Sequence, residues 1–113
     1  GAFLLEEFER GSVGTLPHPC IIDAFRRVCD QYFGGDPEGA WDTYVRIILP
    51  LNRLTPSGGT AGGDIWMHKA LYHRAGILTS DRCRVPSAPQ PDWVMEKAIQ
   101  HLKQSGLKIG KYL

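Results

Sequence analysis

The chain has 113 residues, 42% of them hydrophobic and 22% charged, which is the composition of one modest globular domain and not of a disordered segment. With 13 basic and 12 acidic residues, its net charge of +1 is too small for a protein that grips a nucleic-acid backbone. Three cysteines do not suit a secreted disulfide scaffold, and no apolar run approaches the roughly 20 residues that span a bilayer. We therefore expect a reducing, cytoplasmic compartment and neither a nucleic-acid nor a membrane partner.

The first third of the chain predicts two helices with one short strand between them. The apolar residues within 2–10 recur at helical spacing, which predicts a short helix that ends at Gly11. Residues 12–16 are partly β-branched and closed by Pro17, which predicts a short buried strand. Apolar residues at helical spacing over 19–33, followed by Gly34 and Gly35, predict the second helix. Because a lone strand cannot satisfy its own backbone groups, we expect 12–16 to pair with strands missing from this chain.

The remainder predicts three further helices. Asp36 followed by Pro37 and Glu38 is a helix start, and we expect Pro50 to kink that helix near its end. Four glycines in 58–63 predict a loop, without the lysine and hydroxyl of a phosphate-binding loop. A helix over about 64–75 stopping at Gly76, an irregular stretch over 78–91 and a last helix over about 92–105 stopping at Gly106 complete the chain.

No catalytic or metal-binding constellation emerges from these residues. His68 and His73 are five apart and share no helical face, and no tetrahedral spacing of histidines and cysteines is present. Lys69 lies mid-helix between aromatic residues, where a desolvated lysine can form a Schiff base, but a surface lysine with a buried stem is the better interpretation. We expect no metal, no cofactor and no catalytic residue in this segment.

The order of these pieces resembles the end of the dihydrodipicolinate synthase and N-acetylneuraminate lyase family. The runs that carry the resemblance are E-R-G-S-V-G-T-L-P at 9–17, G-D-P-E-G-A at 35–40, R-I-I-L-P-L-N at 46–52, K-A-L at 69–71 with G-I at 76–77, and R-V-P at 84–86. The closing helix from Trp93 to Leu107 completes it. The resemblance covers nearly the whole chain in order.

The resemblance implies that the chain is mainly α and is the C-terminal portion of a (β/α)8 TIM barrel. Residues 1–33 would be the end of the barrel, with its last helix, eighth strand and eighth helix, and residues 34–113 a C-terminal helical extension. The parent would be a class I aldolase or lyase that holds a pyruvate-type 2-keto acid as a Schiff base, and a homo-oligomer. The Schiff-base lysine and relay tyrosine of the family match no residue here, so we expect this segment to be inactive alone.

The same resemblance implies four substrate-binding residues, Thr15, Leu16, Pro17 and His18, where the eighth strand would end at the active-site face of the barrel. Leu16 falls where the family lines the keto-acid pocket. Pro17 and His18 replace small or hydroxyl residues of the sialic-acid lyases, and Gly1 and Ala2 stand where those enzymes hold acidic residues against sugar hydroxyls. Both departures disfavour sialic acid as the substrate. For residues 15–18 the plainer interpretation is a tight turn that Pro17 and Pro19 stiffen. The alternative function is a self-standing, non-catalytic helical interaction module, which does not explain a strand at 12–16.

Overall fold

The computed structural model describes residues 2–54, 63–84 and 91–107, and these residues form six α-helices and no strand. Helix α1 spans Leu4–Glu9, α2 Ile22–Phe33, α3 Pro37–Thr43, α4 Leu49–Leu54, α5 Gly63–Arg74 and α6 Asp92–Gln104. A 3-10 turn at Pro19–Ile21 leads into α2, and a π turn at Tyr44–Ile48 joins α3 to α4. The mainly helical prediction is confirmed.

The chain divides into two compact units, residues 1–52 and 53–113. The predicted division into a barrel end at 1–33 and a helical extension at 34–113 depends on the resemblance to the lyase family and stays a prediction. Within the first unit, α3 packs against α2, and the π turn packs against both.

The core of the first unit is apolar and spans all its elements. Phe8 of α1 packs its ring against Tyr32 and Phe33 at the end of α2, with ring centroids 5.2 and 4.9 Å apart. The most deeply buried side chains include Leu5, Val28 and Ile48, each 0% exposed. Burial of such residues on several short helices is what holds them, since helices of six or seven residues are not stable on their own.

The second unit is built on the packing of α5 against α6. Its buried apolar side chains include Met67, Ala70, Leu71 and Ala75 in the first part and Val94, Met95, Ala98 and Leu102 in α6. The segment after α5 is tied back to it: Lys69 Nζ donates to the carbonyl of Arg82 at 3.0 Å, and His73 Nδ1 lies 3.0 Å from the carbonyl of Leu78. The stretches 58–62 and 85–90 of the predicted loop and irregular region lie outside the described residues.

The predicted helix boundaries follow the residues that signalled them. Asp36 accepts a hydrogen bond from the Gly39 N–H at 2.9 Å, as expected of the residue before Pro37. Four glycines that follow helices have the positive φ that a left-handed helix end needs: Gly11, Gly35, Gly76 and Gly106.

A kink was predicted at Pro50; the structure instead has a π turn at Tyr44–Ile48, and α4 runs through Pro50. Proline at position 50 lacks an N–H and would press its ring against the carbonyl of Arg46, four residues earlier. The turn at Tyr44–Ile48 lies immediately before it and has the wider i→i+5 hydrogen bonding that relieves such a clash. The helical run therefore continues through Pro50 into α4.

The predicted strand at 12–16 is wrong for the part of the chain that the structure describes. Residues 12–18 carry no regular structure, and Val13 and Leu16 are 86% and 101% exposed. A strand needs a neighbour for its ladder, and none of the described residues supplies one. The β-branched residues there have a local preference for strand, but a strand forms only where a neighbouring strand pairs with it.

Candidate functional site

The four predicted site residues lie in the connection between α1 and the 3-10 turn. Thr15 and Pro17 are half-buried, whereas Leu16 and His18 are exposed. Helix α1 and Gly11, with a φ of +98°, turn the chain into this segment, and Pro17 and Pro19 stiffen its exit. The structure thus places the four residues in sequence along one surface strip.

A cleft of about 270 Å³ lies beside this strip. One wall comes from the start of α1 and the other from the connection; the residues that line it are Ala2, Phe3, Leu4, Glu7, Ser12, Gly14 and Thr15. Of the four predicted residues, Thr15 is part of this cleft, and the structure does not bring Leu16, Pro17 and His18 into it. The opposing wall was not identified from the sequence, because no local signal marks which residues of α1 face a segment several positions later.

The chemistry of the cleft is that of a weakly polar surface with one carboxylate. Glu7 contributes the charge, Ser12 donates its hydroxyl to the Gly14 carbonyl at 3.1 Å, and Thr15 adds a second hydroxyl. No cationic side chain lines it. A 2-keto acid is an anion, so these residues by themselves provide no counter-charge for its carboxylate.

The backbone beside the cleft offers unused hydrogen-bond donors. Among the described residues, no hydrogen bond reaches the N–H of Val13, Gly14, Thr15 or Leu16. Backbone donors are obligatory hydrogen-bonding groups that either stay in water or find a partner. The backbone N–H groups of this segment are therefore available to hydrogen-bond with another segment of chain.

Tyr44 supports one wall of the cleft. Its hydroxyl donates to the carbonyl of Ala2, which lines the cleft. Burial raises the pKa of Tyr44, and the Glu6 carboxylate nearby raises it further. Glu6 itself is half-buried, and its Oε2 is buried with no hydrogen-bond partner among the described residues. Local sequence patterns do not reveal this electrostatic interaction, because 38 positions separate Glu6 from Tyr44.

The cysteines and histidines do not assemble a second site. Burial raises the pKa of Cys20 to about 12, which keeps the thiol protonated and a poor nucleophile at neutral pH. Burial also raises the pKa of Cys29. No group of three or more histidine, cysteine or carboxylate side chains that could hold a metal occurs within residues 2–54, 63–84 and 91–107.

Comparison of the chain with models of protein families, with curated proteins and with solved structures finds no match. Within the described residues, none of the helices has the length and apolar character to cross a membrane.

Proposed function

We propose that the chain is the C-terminal segment of a Schiff-base-forming lyase or aldolase that acts on a pyruvate-type 2-keto acid, and that it is inactive alone. Residues 1–33 would complete a (β/α)8 barrel and residues 34–113 would form its helical extension. We propose with it a homo-oligomer in a cytoplasmic compartment, with no cofactor.

The observation that carries this proposal is the state of residues 13–16. This segment runs between α1 and α2, its backbone donors have no partner among the described residues, and the side chains of Val13 and Leu16 are almost fully exposed. Residues 13 and 16 would face opposite sides of an extended strand, so both of its faces would be apolar. That pattern is typical of an interior parallel strand with neighbours on each side and both faces covered, as in a barrel whose helices lie outside and whose interior is filled by side chains.

The order of elements also supports the proposal. A short helix, an extended connection and a second helix follow in the order of the last barrel unit, and α3 begins at the G-D-P-E-G-A run on which the resemblance was based. In a completed barrel, Thr15, Leu16, Pro17 and His18 would stand at the exit of the eighth strand, at the active-site face. The cationic group that would bind the keto-acid carboxylate, and the lysine that would form the Schiff base, would come from the other strands.

Borohydride trapping tests the proposal. The full polypeptide encoded with this segment, incubated with pyruvate and borohydride, should gain the mass of one reduced adduct on a lysine outside residues 1–113, whereas the 113-residue chain should gain none. An adduct on Lys69, or no adduct on the full polypeptide, would overturn it.

A self-standing, non-catalytic helical interaction module is the second candidate. The observation that favours it is that two compact helical units with buried apolar side chains form without any strand among the described residues. Native-state hydrogen exchange of the 113-residue chain separates the two functions. Protection at residues 12–16 together with a single cooperative unfolding transition would support the module over the barrel segment.

A further inference from the structure

The two units of the chain carry net charges of opposite sign. Residues 1–52 include four basic and eight acidic residues, whereas residues 53–113 include nine basic and four acidic ones. The net charge of +1 for the whole chain averages over the two units and conceals the positive charge of the second. Such an asymmetry between the halves of a chain is typical of a protein that meets an anionic partner through its basic half.

The positive charge is concentrated in α5 and the segment that follows it. Four cationic side chains lie between residues 65 and 84: Lys69, Arg74, Arg82 and Arg84. One acidic residue, Asp81, stands against them in this stretch of the sequence. The three arginines are exposed and Lys69 is half-buried. No ion pair between described residues involves any of the four cations, so their charges face solvent and mobile counter-ions.

The fold brings cations from the helix and from the segment together. His73 Nδ1 lies 3.0 Å from the carbonyl of Leu78, and Lys69 Nζ donates to the carbonyl of Arg82 at 3.0 Å. The segment therefore runs back along α5, and Arg82 lies beside Lys69 although 13 positions separate them. Because the fields of neighbouring charges add, such a surface attracts anions more strongly than scattered cations do.

Two aliphatic side chains are exposed at the turn between the helix and this segment. Ile77 and Leu78 are 53% and 38% exposed. The backbone of the turn is fixed, because the N–H groups of Gly76 and Ile77 donate to the carbonyls of His73 and Tyr72 at 3.0 and 2.9 Å. An ordered turn thus holds adjacent apolar side chains in water among cations. We call six residues the α5 turn surface: Lys69, Arg74, Ile77, Leu78, Arg82 and Arg84.

This combination fits an anionic lipid bilayer better than other anionic partners. Cationic side chains attract lipid phosphates, and aliphatic side chains gain free energy by leaving water for the boundary between headgroups and acyl chains. Single-stranded nucleic acid stacks its bases on aromatic rings, which Ile77 and Leu78 do not offer. An anionic bilayer also repels the first unit, with its excess of acidic residues, and attracts the second.

We propose that the α5 turn surface binds the surface of an anionic lipid bilayer. Ile77 and Leu78 enter the boundary between headgroups and acyl chains, and the four cations contact lipid phosphates. This contact needs no membrane-spanning helix and is independent of the proposed lyase function. It departs from the sequence-based expectation of no membrane partner, which considered spanning segments. The binding is weak and reversible, and it falls as salt rises, because it depends on exposed charges.

Co-sedimentation of the 113-residue chain with lipid vesicles tests the proposal. The chain should bind vesicles of phosphatidylcholine with about one-third phosphatidylserine, and should not bind vesicles of phosphatidylcholine alone. The double variant Arg82→Glu with Arg84→Glu should lower the partition coefficient by about tenfold or more, because two attractive charges become repulsive. Ile77→Ser with Leu78→Ser should also lower it by about tenfold or more, through loss of the apolar contact.

Matched variants in the first unit provide the controls. Arg26→Glu with Arg27→Glu changes the net charge of the chain by the same amount, at two exposed positions of α2. Ile22→Ser replaces an isoleucine that is 54% exposed, close to the exposure of Ile77. Both controls should retain most of the binding, with helical circular dichroism checked for every variant. No binding to the anionic vesicles, equal losses in the control and test variants, or binding to a single-stranded oligonucleotide in place of the vesicles would overturn the proposal.

Discussion

At the scale of single residues, Asp36 is the side chain whose contribution to helix formation is best defined. Its carboxylate accepts from the Gly39 N–H at the start of α3. We expect Asp36→Ala to lower the free energy of unfolding by about 1 kcal/mol, because a helix donor loses its partner. Asp36→Asn keeps an acceptor oxygen in the same place and should change the free energy of unfolding by only about a few tenths of a kcal/mol. Urea unfolding followed by circular dichroism measures both; equal losses in the two variants would show that the cap has no role.

Cys20 makes stability depend on alkaline pH. Burial raises the pKa of the folded-state thiol from 9.0 to about 12. The unfolded chain therefore loses the proton first, and folding stability, fully present below pH 9, falls as pH rises towards 12. Tyr44, whose pKa burial also raises above 10.0, acts in the same direction. Urea unfolding at a series of alkaline pH values should give a flatter dependence for Cys20→Ala than for the unaltered chain; identical slopes would contradict the expectation.

At the scale of elements, α1 depends on its tertiary contacts. A six-residue helix is far below the length that is stable in water, so α1 exists because Leu4, Leu5 and Phe8 are buried. Leu5 is 0% exposed, and Leu5→Ala should destabilise the chain by about 2–5 kcal/mol through lost burial and a cavity. Glu9→Ala, an exposed position on the same helix, should stay within about 0.5 kcal/mol. Denaturant midpoints for the pair check this, and similar losses in both would refute it.

The elements also show what the sequence could and could not predict. The helices were predictable because apolar spacing and the signals of Asp36, Pro37 and the terminal glycines are local. The absence of a strand at 12–16 was not predictable in this way. Val13 and Thr15 have a local β preference, but whether a strand forms depends on neighbouring strands elsewhere in the fold. The candidate cleft divides in the same way: the family resemblance predicted Thr15, whose role stays a prediction, whereas the wall at Glu7 and the support from Tyr44 depend on tertiary contacts.

At the scale of the whole molecule, the two compact units each have their own buried side chains. We expect a destabilising change in one to leave the other almost unaffected, because each unit buries its own apolar side chains. Trp41 reports on the first unit, and Trp66 and Trp93 on the second. In single-tryptophan variants, Ile48→Ala should lower the unfolding midpoint seen by Trp41 and not that seen by Trp93. Equal shifts at both reporters would show a single cooperative structure.

The π turn at Tyr44–Ile48 holds one residue more than the same stretch of regular helix would hold. Deleting Val45 would let the segment relax to i→i+4 bonding, and every later position would keep its phase relative to α3. Deleting a residue from α3 itself would instead rotate all that follows by about 100° and carry Ile48 and Leu51 away from the core. Natural shortening of this helix should therefore occur within the turn and not before it.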